Sequence, residues 1–384
     1  MYNILKLNEI SAKADPVFTD EYNLTKECEN PEAIILRSFN MHEYNLNKNL
    51  LCVARAGAGV NNIPIEKCTK QGIVVFNTPG ANANAVKELV LCSLFLGSRQ
   101  ILDAINWTKM LQGDVMAEVE KGKSKFVGPE ILGKKIGVIG LGAVGALVAN
   151  ACADLGMTVL GYDPYMSVDS AWGLKRSVQH ITNLNELFIE SDYITIHVPY
   201  KKESSNLINK DNLKNMKDGV VIINCARGEL VNNEAILSAV KNKKVGRYIT
   251  DFPSSELINA ENIICIPHLG ASTPEAEDNC AVAAASELVS FIECGTIKNS
   301  VNFPNCDMPK AGVCRLTIIH LNIKDMLSKI TSTISAKNIN IANFVDKSLN
   351  EYAYCILDLD DIASDELITK LEKIEGIIKV RKIK

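Results

Sequence analysis

Arg227, Glu256 and His268 are the residues of this chain whose chemistry is hardest to explain as packing. Arg227 lies in VVIINCARGELVNNEAI, residues 220–236, between the apolar run Val220 to Ile223 and a segment that turns into a helix. A guanidinium at the mouth of a buried strand is expensive to desolvate unless it meets an anion. Its planar fork suits a carboxylate, which it grips through two hydrogen bonds. Glu256 follows in DFPSSE and His268 in PHLG. A histidine can exchange a proton with a hydroxyl or a carbonyl, and a nearby carboxylate can orient the imidazole and favour its charged form. Taken singly, the three read equally well as a surface ion pair, a loop acid and a core histidine. As a set at the ends of neighbouring strands they suit hydride transfer at the carbon alpha to a carboxylate.

A hydride needs an acceptor, and the sequence shows where one would sit. Gly140-Leu-Gly142-Ala-Val-Gly145 follows the strand KKIGVI and opens a helix. In G-x-G-x-x-G, the first glycine allows a tight turn, the second lets the backbone approach a pyrophosphate, and the third permits close helix–strand packing. The helix N-terminus attracts the phosphates. Asp163 ends the next strand, TVLGYD. A carboxylate there can bind both hydroxyls of an adenosine ribose and repel a 2′-phosphate, which favours NAD over NADP. Lys175 and Arg176 lie a short way on and offer a competing positive charge.

The elements that position these residues follow from alternation of apolar runs and helical segments. KKIGVIGLG, MTVLGYD, DYITIHVP, GVVIINCA, VGRYITDF and NIICIPH are six strands of a doubly wound Rossmann sheet, whose ligands sit at the carboxyl ends of the strands. Residues 1–95 alternate in the same way, with YNILKL, AIILRS, LLCVARA and GIVVFNT as strands. One long helix is expected over about residues 82–112 and another from Thr273 to Cys294. A linker over 299–312 precedes a strand–helix–strand–strand–helix–strand order, a separate βαββαβ domain over 313–384. The expected domains are therefore 1–95, 96–273 and 313–384. The first domain holds a second strand-end arginine, in CVARAGAGVNNI. Arg55 is followed by Gly57, Ala58 and Gly59, whose backbone amides could cradle an anion. Lys123 and Lys125 add charge. A substrate with a carboxylate and a phosphate would use both arginines; the alternative for Arg55 is a salt bridge across a hinge.

At this point the sequence resembles the D-2-hydroxyacid dehydrogenase family. VIGLGAVG, GYDP, HVP, NCARGELV, DFPSSE and PHLGAST match family motifs in family order, over residues of about 50 to 300. The resemblance implies that Arg227, Glu256 and His268 are the catalytic set. It implies that NAD contacts Gly140, Gly142, Ala143, Val144, Gly145 and Asp163, and that Thr78, Val198, Cys225 and Ala226 line the cofactor. Asp251, Gly270 and Ala271 would meet its nicotinamide end. It also implies a discontinuous chain, in which a flavodoxin-like substrate domain is closed by the segment at about 274–298 and the cofactor domain is inserted. RAGAGVNNI, NTPGANANAV and KFVGPEILGKKIGVIGLGAVG resemble the phosphoglycerate dehydrogenases of that family. They imply oxidation of 3-phosphoglycerate, the first step of phosphorylated serine biosynthesis, with Arg55, Gly57, Ala58, Lys125, Arg227 and His268 at the substrate.

The last domain resembles the amino-acid-binding ACT module. There His320, Asn322 and Asn343 would hold an effector such as L-serine. The usual H-x-N-x-P-G loop reads His320-Leu-Asn322-Ile-Lys324-Asp325 here. The missing Pro-Gly predicts a weak serine response and a module that pairs subunits into a homodimer or homotetramer. Other readings are a glycerate or hydroxypyruvate dehydrogenase, or an NAD-responsive corepressor that binds protein motifs.

Composition is consistent with a soluble enzyme. At 384 residues, with 47% hydrophobic and 22% charged, the chain should hold two or three globular domains. A net charge of −4 without a basic run argues against nucleic acid. The start, MYNILKLNEI, has no charged region followed by an apolar one, and no apolar run approaches membrane-spanning length. The 12 cysteines include no C-x-x-C pair, so they are expected as reduced thiols of a cytoplasmic protein, and no metal site is expected.

Overall fold

The structure, a computed structural model, describes residues 1–383. They form two compact units: residues 1–81 together with the chain from Glu277 onward, and Asn82–Ala276.

The first unit begins with five short parallel strands. Their order is Tyr22–Thr25, Tyr2–Leu7, Ala33–Leu36, Cys52–Arg55 and Val74–Asn77. Parallel strands covered on both faces read as apolar runs, and all four residues of Ala33–Leu36 are buried. Tyr22–Thr25 was not expected: YNLT is short and half polar, and it becomes a strand only by pairing with Tyr2–Leu7. The helix Pro274–Cys294 lies against this sheet. Ala281, Ala284, Ala285, Leu288, Phe291 and Ile292 recur at helical spacing and share a core with Ile4, Ile35, Ala54 and Phe76.

The segment read as a linker is packed. Val301 N–H donates to the Val75 carbonyl, Val75 N–H donates to Asn302 Oδ1, and Asn302 Nδ2 donates to the Ile73 carbonyl. The Asn302 amide mimics a backbone unit, so residues 300–302 extend the sheet beside Val74–Asn77. Phe303, Cys306 and Met308 are buried in the same core. Gly and Asn in the sequence marked turns but not looseness.

The C-terminal module has the expected βαββαβ order. Its antiparallel sheet runs Ile341–Leu349, Tyr352–Leu359, Cys314–Leu321, Ile377–Ile383. One face packs on its own helices, Met326–Ser335 and Asp365–Glu372, through Leu316, Ile318, Leu357, Ile330 and Leu367. The other face gives Ile319, Tyr354 and Ile356 to the core that contains Phe291 and Phe303.

The second unit is a seven-stranded parallel sheet in the order Ile263–Cys265, Val245–Thr250, Val220–Asn224, Tyr193–Ile196, Lys135–Ile139, Thr158–Tyr162, Gln179–His180. The six expected strands are present, and a two-residue edge strand is added. Chain order reverses between Lys135–Ile139 and Tyr193–Ile196, which opens a crevice at their carboxyl ends. The helix expected over 82–112 is broken. Ala83–Ser98 ends at Arg99, which turns extended, and a second helix runs Ile101–Thr108. Val86, Val90 and Leu94 are buried with Ile136, Val138 and Val148. That packing places the helix with the second sheet, so the units divide at residue 81 rather than 95. All 12 cysteines are free thiols. Among the described residues no helix is long and apolar enough to cross a membrane.

Candidate active site

The glycine turn is built by steric necessity. Gly140 has φ +90°, and a Cβ there would lie 2.8 Å from the His197 carbonyl carbon and oxygen. A Cβ on Gly145 would lie 1.8 Å from the Gly140 carbonyl oxygen. These two glycines let the helix Ala143–Asp154 start against its strand. Gly142 differs: no protein atom comes within 4 Å of where its Cβ would be. It caps the helix and leaves its backbone open on the side where a pyrophosphate would approach. Asp163 follows the strand Thr158–Tyr162, and its two oxygens accept from Leu141 N–H and Tyr165 N–H, each at 2.9 Å. Each oxygen keeps a lone pair for a further donor. Lys175, the nearby cation, is paired with Asp154.

Next to this turn, His197 follows the strand Tyr193–Ile196, with Val198 half-buried beside it. Burial pushes the His197 pKa down to about 4, and its Nε2 lies 2.9 Å from Thr195 Oγ1. It is a neutral wall of the turn, which leaves His268 as the exposed histidine on this edge of the sheet.

The strand Val220–Asn224 ends in a turn that Asn224 shapes. Its buried amide donates to the Arg227 carbonyl at 2.8 Å and accepts from Ala226 N–H at 3.1 Å. The sequence reasoning missed this residue, though an asparagine at a strand end is a recurrent turn former. Cys225 is buried, and burial pushes its thiol up to about 12, so it is no nucleophile. The Arg227 guanidinium is half-buried and spends one donor on the Ala226 carbonyl at 2.6 Å, which leaves most of its fork for a ligand.

One strand on, Asp251 is 1% exposed. Its Oδ2 accepts from Gly270 N–H at 3.2 Å, and its Oδ1 is buried without a partner. Burial raises the Asp251 pKa, and the His268 and Arg227 charges pull it back down. Asp251, Arg227 and His268 are thus electrostatic neighbours. Oδ1 is an acceptor without a protein donor, which fits the carboxamide of a nicotinamide ring. The His268 ring packs against Phe252 with centroids 4.8 Å apart, a contact the sequence did not disclose. Glu256 is exposed, and its carboxylate accepts from Asn233 Nδ2 at 3.1 Å. No ion pair joins Glu256 to His268 in this structure, in contrast to the expected pairing.

In the first unit, Arg55 ends the strand Cys52–Arg55 and its Nε donates to the Arg37 carbonyl at 3.0 Å. Gly57 has φ +155°, and a Cβ there would fall 2.4 Å from Arg55 Nη1, so glycine lets the guanidinium lie over its own turn. Gly57 N–H is spent on the Arg55 carbonyl, a correction to the expected open amide. The Ala58 carbonyl accepts from Asn77 Nδ2 at 2.6 Å, and the Gly57 carbonyl accepts from the buried Thr78 N–H at 3.1 Å. Lys125 is exposed on the short turn Lys123–Phe126 and is not among the groups gathered at the strand ends. Ala271 follows Gly270 in the loop after Ile263–Cys265.

In the C-terminal module, His320 is 2% exposed, with Nε2 3.0 Å from Asp346 Oδ1 and Nδ1 2.8 Å from the Leu321 carbonyl. Asn322 Nδ2 donates to the Asn350 carbonyl at 3.1 Å, and Asn343 is exposed beside a bulge in its strand. Asp325 has φ +65°, so an aspartate holds the left-handed backbone that a glycine would favour.

Residues 94–270 match the NAD-binding domain model of the D-isomer specific 2-hydroxyacid dehydrogenases. The D-3-phosphoglycerate dehydrogenase of Haemophilus influenzae is 32% identical over 347 residues, 86% of this chain and 81% of its own length. That of Archaeoglobus fulgidus is 36% identical over 296 residues, 74% of this chain. The match takes in 54% of the archaeal protein, so this chain spans about half the length of that relative. The crystal structure of NAD+-bound 3-phosphoglycerate dehydrogenase from Entamoeba histolytica is similar with a TM-score of 0.59 at 26% identity, covering 78% of this chain and 98% of that one. An open glycine turn, a ribose-side carboxylate and an unpartnered Asp251 oxygen fit the cofactor that the matched domain binds, and the chain belongs to the D-isomer specific 2-hydroxyacid dehydrogenase family.

Proposed function

We propose that this protein oxidises 3-phosphoglycerate to 3-phosphohydroxypyruvate with NAD, the entry reaction of phosphorylated serine synthesis. The observation that carries the choice of substrate is the Arg55 turn. A 2-hydroxy acid needs one guanidinium, at Arg227, and a phosphorylated one has a second anion, suited to Arg55 and to the turn at Ala58 that Gly57 lets form beneath it. The names of relatives that match along most of the chain support the same substrate.

NAD, when bound, takes the hydride. Arg227 holds the carboxylate and polarises the reacting oxygen. His268 removes the hydroxyl proton in oxidation and returns it in reduction. Glu256 supplies the charge that favours the imidazolium. Asp163 would hold the ribose of NAD, and Asp251 would accept from its carboxamide through the oxygen that lacks a protein donor. We assign the C-terminal module to subunit pairing with at most a weak response to L-serine. Self-association is further supported by exposed apolar side chains between residues 101 and 116, with Met110 70% and Met116 81% exposed. This reading places the protein in the cytoplasm, with no nucleic acid or membrane partner.

The test is NADH formation from 3-phosphoglycerate, D-glycerate and D-lactate, each with NAD and with NADP. The highest kcat/KM is expected for 3-phosphoglycerate with NAD. A preference for an unphosphorylated acid would replace the substrate, and no turnover of any acid would favour a binding protein.

A further inference from the structure

We propose that Glu287 is a positioning residue for the anion-binding turn at Gly57–Gly59, acting on it through Asn299 and Asn77. The proposal deepens the preceding one, because it takes that turn as the phosphate site.

Glu287 lies on the inner helix Pro274–Cys294. Its Oε1 accepts from Asn299 Nδ2 at 2.8 Å, while its Oε2 is buried without a hydrogen-bond partner. The Asn299 carbonyl accepts from Asn77 N–H at 3.3 Å. Asn77 Nδ2 in turn donates to the Ala58 carbonyl at 2.6 Å. Four residues distant in sequence thus form one hydrogen-bonded relay from a helix to the turn. A half-buried carboxylate with one buried orphan oxygen is a costly way to hold an asparagine. A neutral glutamine would serve packing as well, so the acid itself needs a reason.

The reason we infer is titration. Burial raises the Glu287 pKa to about 7 against two smaller downward influences, the Asn299 hydrogen bond and the Lys298 charge. Among the described residues, the charge that acts on it is Lys298, in the connector. The positions one turn away on its own helix, Ala283, Ala284, Ser290 and Phe291, have no ionisable group, nor does the strand Val74–Asn77. Above about pH 7 the ionised carboxylate makes a charge-assisted bond to Asn299 and stiffens the relay. Below it, the neutral acid accepts more weakly and the turn loosens. Stability runs the other way. A carboxyl whose folded pKa is raised contributes stability that is fully present below its ordinary value, 4.5, and is lost as pH rises through about 7.

Glu287→Gln keeps the acceptor and removes the titration. Asn299→Gly keeps the left-handed φ of +58° and removes the amide. The wild type should lose thermal stability relative to Glu287→Gln between pH 5 and pH 8. From pH 6 to pH 8, its KM for 3-phosphoglycerate should fall about three- to tenfold relative to that variant, with the kcat ratio unchanged. The substrate phosphate also titrates in this range, but equally for both proteins, so the ratio cancels it. Asn299→Gly should have a raised KM without the extra pH step. Calorimetric binding of sulfate, whose charge is constant over this range, should show the same step without turnover. A flat wild-type to Glu287→Gln ratio for sulfate overturns the inference whatever the substrate proves to be. Sulfate binding with the step, but no turnover of 3-phosphoglycerate, would overturn the substrate assignment alone.

Discussion

At the scale of single residues, the edge of the cofactor sheet separates groups that hold shape from groups with capacity to spare. Asn224 uses its amide on its own turn, and Arg227 uses one donor of its fork. Arg227→Lys keeps the charge and loses the fork. Losing a charge-assisted bond of about 1.5–3 kcal/mol should lower kcat/KM by about tenfold to a hundredfold. Steady-state kinetics that stay near wild type would remove Arg227 from the substrate. Asp163 has two roles to disentangle, because it also accepts from Leu141 and Tyr165 N–H. Asp163→Ala will therefore disturb the turn as well as the ribose contact. The ratio of kcat/KM for NADP to that for NAD is insensitive to the first effect, and it should rise as repulsion of a 2′-phosphate disappears. Lys175, the nearby cation, is paired with Asp154 at the surface. Glu256 rests on Asn233 here. If it acts on His268, Glu256→Gln moves the acidic limb of the oxidation profile to lower pH, and an unchanged profile would leave Asp251 as the charge that His268 feels.

At the scale of elements, what the sequence made legible was local. Six strands of the cofactor sheet and the glycine turn could be read because apolar runs, Gly and a strand-end Asp each have a meaning within a few residues. The break at Arg99 has no Gly or Pro at the break itself, and the division at residue 81 depends on which sheet Val86, Val90 and Leu94 meet. Both are set by tertiary contact. Glu287 was equally invisible, because a glutamate in an Ala-rich helix reads as solvent-facing. The C-terminal loop shows the same limit. Lys324-Asp325 replaces the expected Pro-Gly, and Asp325 adopts the φ of +65° that a glycine would favour, which leaves a carboxylate in the turn. His320 is held between Asp346 and the Leu321 carbonyl, so both ring nitrogens face acceptors. Burial alone would lower its pKa, but the Asp346 carboxylate and the carbonyl outweigh it and raise the pKa above the ordinary 6.5. The clamp therefore contributes stability that is fully present below about 6.5 and is lost as pH rises through the raised value. His320→Gln should cost most at pH 6 and least at pH 9 in urea unfolding. A loss independent of pH would mean that the imidazolium does not hold the loop.

At the scale of the whole chain, the C-terminal module is continuous with the first unit rather than appended to it. Arg381 stacks on Phe291 at 4.5 Å and donates to the carbonyls of Phe291 and Ile292. Arg315 donates to the Cys294 carbonyl at 3.0 Å and forms a buried two-pronged pair with Asp358 at 2.7 and 2.8 Å. Tyr354 Oη donates to the Gly295 carbonyl at 2.6 Å. The last carbonyls of a helix have no partner within it, and here the module supplies those donors for the helix that packs on the first sheet. Lys379 donates to the Leu50 carbonyl at 2.8 Å, just before the strand that ends in Arg55. A module that only paired subunits would be expected to come away with a change in oligomeric state and little else. These contacts alter that expectation. Deleting residues 313–384 would uncover Phe291, Ile292 and Phe303 and strip the donors from the helix end. Each such side chain is worth about 1.5–3 kcal/mol when buried. Losing three removes about 4–9 kcal/mol, comparable with the 5–15 kcal/mol that holds a typical domain together. The truncated chain should therefore aggregate or melt far below the full chain. Arg315→Ala, which leaves Asp358 buried and unpaired, should cost about 3–5 kcal/mol by itself. A soluble 1–312 fragment that unfolds within a few degrees of the full chain would show that the module is a passenger on the first unit and that the helix cap contributes little.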